Sequence, residues 1–292
     1  MMIYQEVTDN TVKTTTGYGI TEDVSGEISN CSCVTTIQQK CLVNGVELHF
    51  TQSGRGPHPI LCIPGAMAPS QWAFASQLEH FGREGRGYTI VAYDPRGYGN
   101  SRPSDREYQL VPEHHLKTDA SDAYHLMTSL GYPQFSVLGW CDGGVTAICL
   151  AAQFPDAIKK LVIWGSRTYL TKEDVKRSEE LEDLKNWNPR FREAFEAIYG
   201  GPNLALLWQK FTDSVRAMYA KTDGDVCTEE MTKVSCPTLI LHGGRDKFSP
   251  LSHAEYMKYH IVDSQLHIFA DGRHDLQTCL GFNSVVDNFL KE

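Results

Sequence analysis

Apolar positions in this chain fall into short runs, and polar and apolar residues recur between them at helical spacing. Residues 46–51 (V-E-L-H-F-T) alternate as a half-buried strand does, and Asn44-Gly45 just before them is a hairpin-turn pair. Segments 59–63, 89–93, 135–138, 161–164, 238–241 and 265–269 have the apolar content of buried strands. Helical patterns occupy 70–81, 116–130, 144–153, 252–260 and 284–291. A hairpin followed by repeated strand-then-helix units predicts an α/β architecture, a mostly parallel sheet with helices on both faces.

One interval breaks the alternation. Between Trp164 and Thr238, about seventy residues contain no strand pattern but several capped helices. Thr171 precedes an acidic first turn, Asn188-Pro189 opens a second helix that ends at Gly200-Gly201, and Pro202 opens a third. A helical insertion after a strand, at the sheet end where ligands bind, predicts a lid over residues 166–232. Strand and helix units resume at Thr238, so the insertion belongs to one domain spanning 37–292. The first 36 residues are rich in Thr, Ser, Gly and acid without sustained period, which predicts a disordered extension.

Charge narrows the partners. With 27 Lys plus Arg against 36 Asp plus Glu, the formal charge of −9 is the wrong sign for a phosphate-binding surface, so neither nucleic acid nor an anionic membrane is expected. No run approaches the length of a membrane span, and no basic-then-apolar leader opens the chain. Nine cysteines, several inside apolar segments (Cys62, Cys149), suit a reducing compartment, and the chain is expected to be a cytoplasmic monomer. Cys31, Cys33 and Cys41 lack a second Cys/His pair at ligand spacing, so no metal is expected. No G-x-G-x-x-G and no phosphate loop is present, so no cofactor is expected either.

The chemistry concentrates at Gly139-Trp140-Cys141-Asp142-Gly143-Gly144, a G-x-C-x-G-G between a strand and a helix. This is the pattern of a nucleophile elbow, with cysteine at the position usually held by serine. The turn is so tight that small neighbours are required, and the central side chain is pushed out above the sheet. It also sits at a helix N-terminus, where N–H groups favour a thiolate and later an oxyanion. An elbow predicts an acid and then a histidine further along, each in a loop after a strand. Asp246 in H-G-G-R-D and His274 in A-D-G-R-H-D answer that description. Cys141 then attacks an acyl carbon, His274 moves the proton, and Asp246 orients His274. Of the competing residues, His242 and His267 lie within strands, His253 opens a helix as a surface cap, and Asp271 and Asp275 flank the histidine. The oxyanion donors expected are the backbone N–H of Asp142 and that of Ala66, in the loop after strand 59–63. Arg96 and Tyr98 read as loop-shaping residues and Trp140 as packing. Trp187, Trp208 and Tyr169 either line an apolar pocket or form the insertion's own core.

The segments I-P-G-A-M at 63–67, D-P-R-G-Y-G-N-S-R-P at 94–103, L-G-W-C-D-G-G at 138–144, V-I-W-G at 162–165 and L-H-G-G-R-D at 241–246 resemble the α/β-hydrolase superfamily. Within it the chain is most similar to the biphenyl hydrolase-like proteins, the valacyclovir hydrolases, from about residue 43 to 290. The resemblance implies an α/β-hydrolase fold and hydrolysis of small α-amino acid esters. It further implies that the acidic residue after the nucleophile, here Asp142, receives the substrate ammonium. Electrostatics points the same way: a carboxylate beside a group that must become anionic is costly unless a cation offsets it. The departure is Cys141 itself, since that family uses serine. Three accounts of the cysteine stand open: a working Cys-His-Asp hydrolase, a weakened or silent ligand-binding relative, and a deliberate Ser-to-Cys change. A dienelactone-type lactone or thioester hydrolase is the alternative activity.

Overall fold

The computed structural model describes residues 34–102, 106, 108 and 113–292. The extension expected over 1–36 lies almost wholly outside the described residues, as do Cys31 and Cys33. Asn44 and Gly45 both take positive φ, 47° and 80°, the combination demanded by a two-residue hairpin turn. They join β1 (Thr36–Val43) to β2 (Val46–Gly54), paired antiparallel from Thr36 opposite Ser53 to Val43 opposite Val46.

The chain then runs through β3 (His58–Ile63), α1 (Ser70–Ala73), α2 (Ala75–Gly82), β4 (Tyr88–Tyr93), α3 (Glu113–Ser129), β5 (Phe135–Trp140), α4 (Asp142–Gln153) and β6 (Ile158–Trp164). Four helices follow without an intervening strand: α5 (Lys172–Glu180), α6 (Pro189–Tyr199), α7 (Gly201–Thr222) and α8 (Thr228–Thr232). The alternation closes with β7 (Thr238–Gly243), α9 (Leu251–His260), β8 (Ser264–Phe269) and α10 (Phe282–Lys291). The sheet order is β1-β2-β4-β3-β5-β6-β7-β8, parallel from β4 to β8. Every residue of β4 and of β7 is buried, as a sheet covered on both faces requires.

The order matters for function because the chain leaves β3 toward β4 on one side, then crosses back to place β5 on the other. The loops after β3 and β5 therefore open a crevice at a switch point, the usual place for a ligand in such sheets. Register sets Ile63 beside Gly139, so the loop after Ile63 abuts the turn after Trp140.

Two local expectations change. The helix anticipated over 70–81 is two helices, interrupted at Phe74 (φ −116°, ψ 22°), whose fully buried ring packs edge-on against Trp164. His253 is no surface cap. It is buried on α9 with Nε2 3.1 Å from Asp174 Oδ2, and Asp174 also closes the capping box of α5 with Thr171. One acid thus ties the first turn of the helical insertion to the body. Despite the opposing cost of burial, hydrogen bonds from His253 and Thr171 and the nearby Arg167 hold that carboxyl well below the usual carboxylate range. Among the described residues, no helix is long and apolar enough to cross a membrane.

Candidate active site

β5 ends at Trp140 and α4 begins at Asp142, leaving Cys141 alone to turn the chain. It does so at φ 56° and ψ −122°, a backbone conformation that side chains normally avoid. Bonds on both sides hold it there. Cys141 N–H donates to Trp164 O at 2.9 Å, and Cys141 O accepts from Ser166 Oγ at 2.8 Å. The closeness of the turn explains its small residues: a methyl group at Gly143 would lie 2.1 Å from Ile63 O, and one at Gly144 would lie 1.8 Å from Ser166 Oγ. Cys141 heads α4: the Gly144 N–H turns back to Cys141 O at 3.0 Å, whereas the N–H of Asp142, the first residue of the helix, has no acceptor within it.

His274 and Asp246 meet as expected from their positions after β8 and β7. His274 Nδ1 lies 2.9 Å from Asp246 Oδ2, while Asp246 Oδ1 accepts the N–H groups of Phe248 (2.7 Å) and Ser249 (3.0 Å). Burial would lower the His274 pKa, but Asp246 and then Cys141 outweigh it, and the imidazole is pushed up to about 10. Asp246 is also part-stripped of water, yet His274 and the two backbone donors hold its carboxyl below the ordinary value. The ring is boxed in. Trp140 Nε1 donates to His274 O at 2.9 Å, Phe248 packs with ring centroids 4.9 Å apart, and Gly165 passes beneath, at φ 61°.

On the other side of the thiol, Gly65 leaves no room for a side chain: a methyl there would fall 2.9 Å from Cys141 Cβ. Ala66 is the one residue between 59 and 70 that is not buried, so the loop after β3 meets the crevice at Ala66. Asp142 stands in the same crevice. Desolvation raises its carboxyl above the ordinary range, against the opposing pull of Arg167, Arg106 and His274. Both guanidiniums are committed elsewhere, Arg167 Nη1 at 3.7 Å from Asp174 and Arg106 in a two-pronged clamp on Asp119 (2.5 and 3.1 Å). Asp142 is therefore a carboxylate whose charge is only partly met.

Trp140 is a packing residue and also fixes the His274 backbone. Arg96 bonds Asp122 through two nitrogens and Tyr98 is buried against Tyr108, both shaping the loop after β4. Trp187 and Trp208 pack edge-to-face at 4.7 Å within the insertion, and Tyr169 packs on His253 and Tyr256. The aromatic wall near the elbow is formed by other residues: Phe191 of α6 touches both Trp72 (4.9 Å) and Trp140 (6.4 Å), and Phe248 covers His274. Sequence reading missed Phe191, Phe248, Gly165 and Ser166. Only Gly165, in V-I-W-G, gave a signal. A solvent-open cavity of about 660 Å³ is lined by Gln38, Lys40, His49, Gly99, Asn100, Arg102 and Ile198, and by none of the residues named for chemistry.

Comparison with known proteins agrees with this architecture. The family model of the α/β-hydrolase fold matches residues 58–235. The human and mouse proteins called serine hydrolase BPHL are each 39% identical over 254 residues, covering 86% of this chain and 86% of theirs. Among solved structures, the 2-hydroxy-6-oxo-6-phenylhexa-2,4-dienoate hydrolase of Rhodococcus sp. strain RHA1 superposes with a TM-score of 0.74 at 14% identity, over 89% of this chain and all of that one. At that identity the likeness concerns the fold alone. The chain belongs to the α/β-hydrolase family, as a hydrolase of its biphenyl hydrolase-like group.

Proposed function

We propose that the protein hydrolyses small esters of α-amino acids through an acyl-enzyme on Cys141. The observation that supports this most is the placement of Asp142, a desolvated carboxylate with partly unmet charge, directly after the nucleophile position. A substrate ammonium supplies the missing charge and lifts the penalty that a free carboxylate imposes on a developing anion. The Cys141 thiolate attacks the ester carbon, and the oxyanion forms against the N–H groups of Ala66 and Asp142. The C–O bond breaks as His274 passes its proton to the departing alkoxide. A water molecule, deprotonated by His274, then attacks the thioester and frees the acid and the thiol, while Asp246 holds the imidazole throughout. Phe248, against the imidazole that protonates the leaving group, makes that side of the crevice apolar and suits an aromatic or alkyl alcohol. Residues 166–232 act as the lid of the domain 37–292.

The experiment is time-resolved intact mass measurement with valine benzyl ester and its N-acetylated twin, following adduct and free acid. Multiple turnover of the free amine, with much slower turnover of its acetylated twin, supports the reading in full. An adduct that persists on Cys141 means a live elbow with failed deacylation, the weakened relative. Absence of adduct and product, with hydrolysis appearing in Cys141→Ser, overturns the cysteine mechanism. Lactone or thioester hydrolysis of the dienelactone type is favoured by one feature, the Arg167 charge acting on the same crevice. Preference for an anionic lactone over the amino ester would select it.

Gly165 provides a second check on the assigned base. A methyl group at that position lies 2.8 Å from His274 Cε1, on a backbone at φ 61° that resists any side chain. Displacing the imidazole by even a fraction of an ångström is costly, so Gly165→Ala is expected to lower kcat/KM by about tenfold or more. Steady-state kinetics within twofold of the parent would mean that His274 is not the working base.

A further inference from the structure

The oxyanion loop is held by a residue far away in sequence. Ala68 N–H donates to Gly65 O at 3.1 Å, closing a turn over 65–68 whose third residue, Met67, is fully buried at φ 58°. Glycine or asparagine is the usual occupant of that left-handed position, and methionine occupies it only where the surroundings insist. The surroundings here include Tyr199, the last residue of α6, 3% exposed. Its hydroxyl donates to Met67 O at 2.8 Å and accepts from Gly99 N–H at 2.7 Å. Gly99 belongs to the loop after β4, and Asp94 in that loop accepts the N–H groups of Ser70 and Asn100, both at 2.8 Å. The Arg102 guanidinium stacks over the Tyr199 ring at 4.7 Å and reaches Ile198 O at 3.3 Å. One phenol thus joins the helical insertion, the oxyanion turn and the loop after β4.

We propose that Tyr199 is a positioning residue for the oxyanion hole: its hydroxyl pins the 65–68 turn so that Ala66 N–H stays aimed above Cys141, and it makes the hole complete only while α6 is seated on the body. The proposal rests on the reading of Cys141 as nucleophile and Ala66 as donor. Gly65 sits directly against Cys141 Cβ, so a turn that relaxes from its left-handed form moves the N–H that follows Gly65. Movement of α6 away from the body withdraws the hydroxyl from Met67 and slackens the hole. Lid position and oxyanion stabilisation are one coupled variable in this arrangement.

A purely structural tyrosine would affect folding and nothing specific to oxyanions, so the test compares two reactions of one thiol. Acylation by valine benzyl ester passes through a tetrahedral oxyanion; alkylation by iodoacetamide displaces iodide at a saturated carbon and forms none. Tyr199→Phe keeps the ring and removes only the hydroxyl. It is expected to slow Cys141 acylation by about 10- to 100-fold at unchanged KM, the range below loss of a whole oxyanion donor, with alkylation within twofold of the parent. Equal slowing of both reactions, or of neither, overturns the proposal. Met67→Gly gives a second reading, with all variants assayed at low temperature so that each is compared as folded protein. Glycine takes the left-handed turn without help, so the Tyr199→Phe effect measured in the Met67→Gly background is expected to shrink to under threefold. An undiminished effect there also overturns the proposal. If the parent protein is alkylated yet never acylated, the proposed activity fails first, and that failure is seen before any variant is made.

Discussion

Replacing His274 with alanine is expected to lower kcat for valine benzyl ester by about 10⁶-fold, the order of the cost of deleting the base of such a triad. The two half-reactions should suffer unequally. A thiol retains some nucleophilicity without its base, whereas deacylation in the proposed mechanism needs a water molecule that His274 deprotonates. Intact mass should therefore show slow formation of a Cys141 adduct that then persists, with benzyl alcohol released to one equivalent and no accumulation of free acid. Free acid appearing at more than a tenth of the parent rate would remove His274 from the mechanism. Asp246→Asn should cost less than His274→Ala, because it disturbs the orientation and charge of an imidazole that is still present.

The same imidazole gives a pH signature. Its folded value of about 10 exceeds the ordinary histidine value of 6.5. The pairing with Asp246 and Cys141 thus stabilises the fold fully below pH 6.5 and is lost as pH rises through about 10. Reactivity that depends on the imidazolium should fall on the same alkaline limb. With the N-acetylated ester, kcat/KM is expected to hold to near pH 10. With the free amine the descending limb should come earlier, near the α-amino value of about 8, because the substrate itself loses the charge that Asp142 is proposed to read. Coincident limbs for both esters would argue against ammonium recognition.

Motif and spacing made the body of this molecule legible. Asn44-Gly45, the apolar runs and the capping residues Thr171 and Asn188 act over a few residues, so local chemistry placed β2, α5 and α6 close to where they lie. The chain order nucleophile, acid, base selected Asp246 and His274, and these two side chains lie 2.9 Å apart. What escaped was set by the third dimension. His253 looked like a surface cap because nothing local marks the approach of Asp174, 79 residues away. The Trp187 and Trp208 pair pack on one another, and Phe191 rather than either indole turns toward Trp140, since the face an inserted helix presents depends on how it seats. The Tyr199 contacts with Met67 and Gly99 span 132 and 100 residues and leave no mark in either neighbourhood.

Asp142→Asn is expected to invert substrate preference, and it separates the proposed activity from ester hydrolysis in general. Removing one member of a desolvated charge pair costs about 2 kcal/mol or more, so kcat/KM for valine benzyl ester should drop by roughly 30-fold or more. The N-acetylated ester has no charge to lose and should gain, because the carboxylate no longer opposes the oxyanion and thiolate beside it. The amide keeps the backbone N–H and nearly the same volume, so the oxyanion donor is untouched. Stability should move the opposite way from activity. The Asp142 carboxyl has its pKa raised by burial, which means that the fold disfavours its ionised form; that cost appears as pH rises above the ordinary value of 3.8 and is fully present once the raised pKa is passed. Asparagine removes the cost, so Tm at neutral pH should rise while amino-ester turnover falls. A site residue retained at the expense of stability is the behaviour expected of a recognition group. A variant that loses both esters equally, or whose Tm falls, would make Asp142 a structural helix-start residue and leave the hydrolase without its ammonium reader.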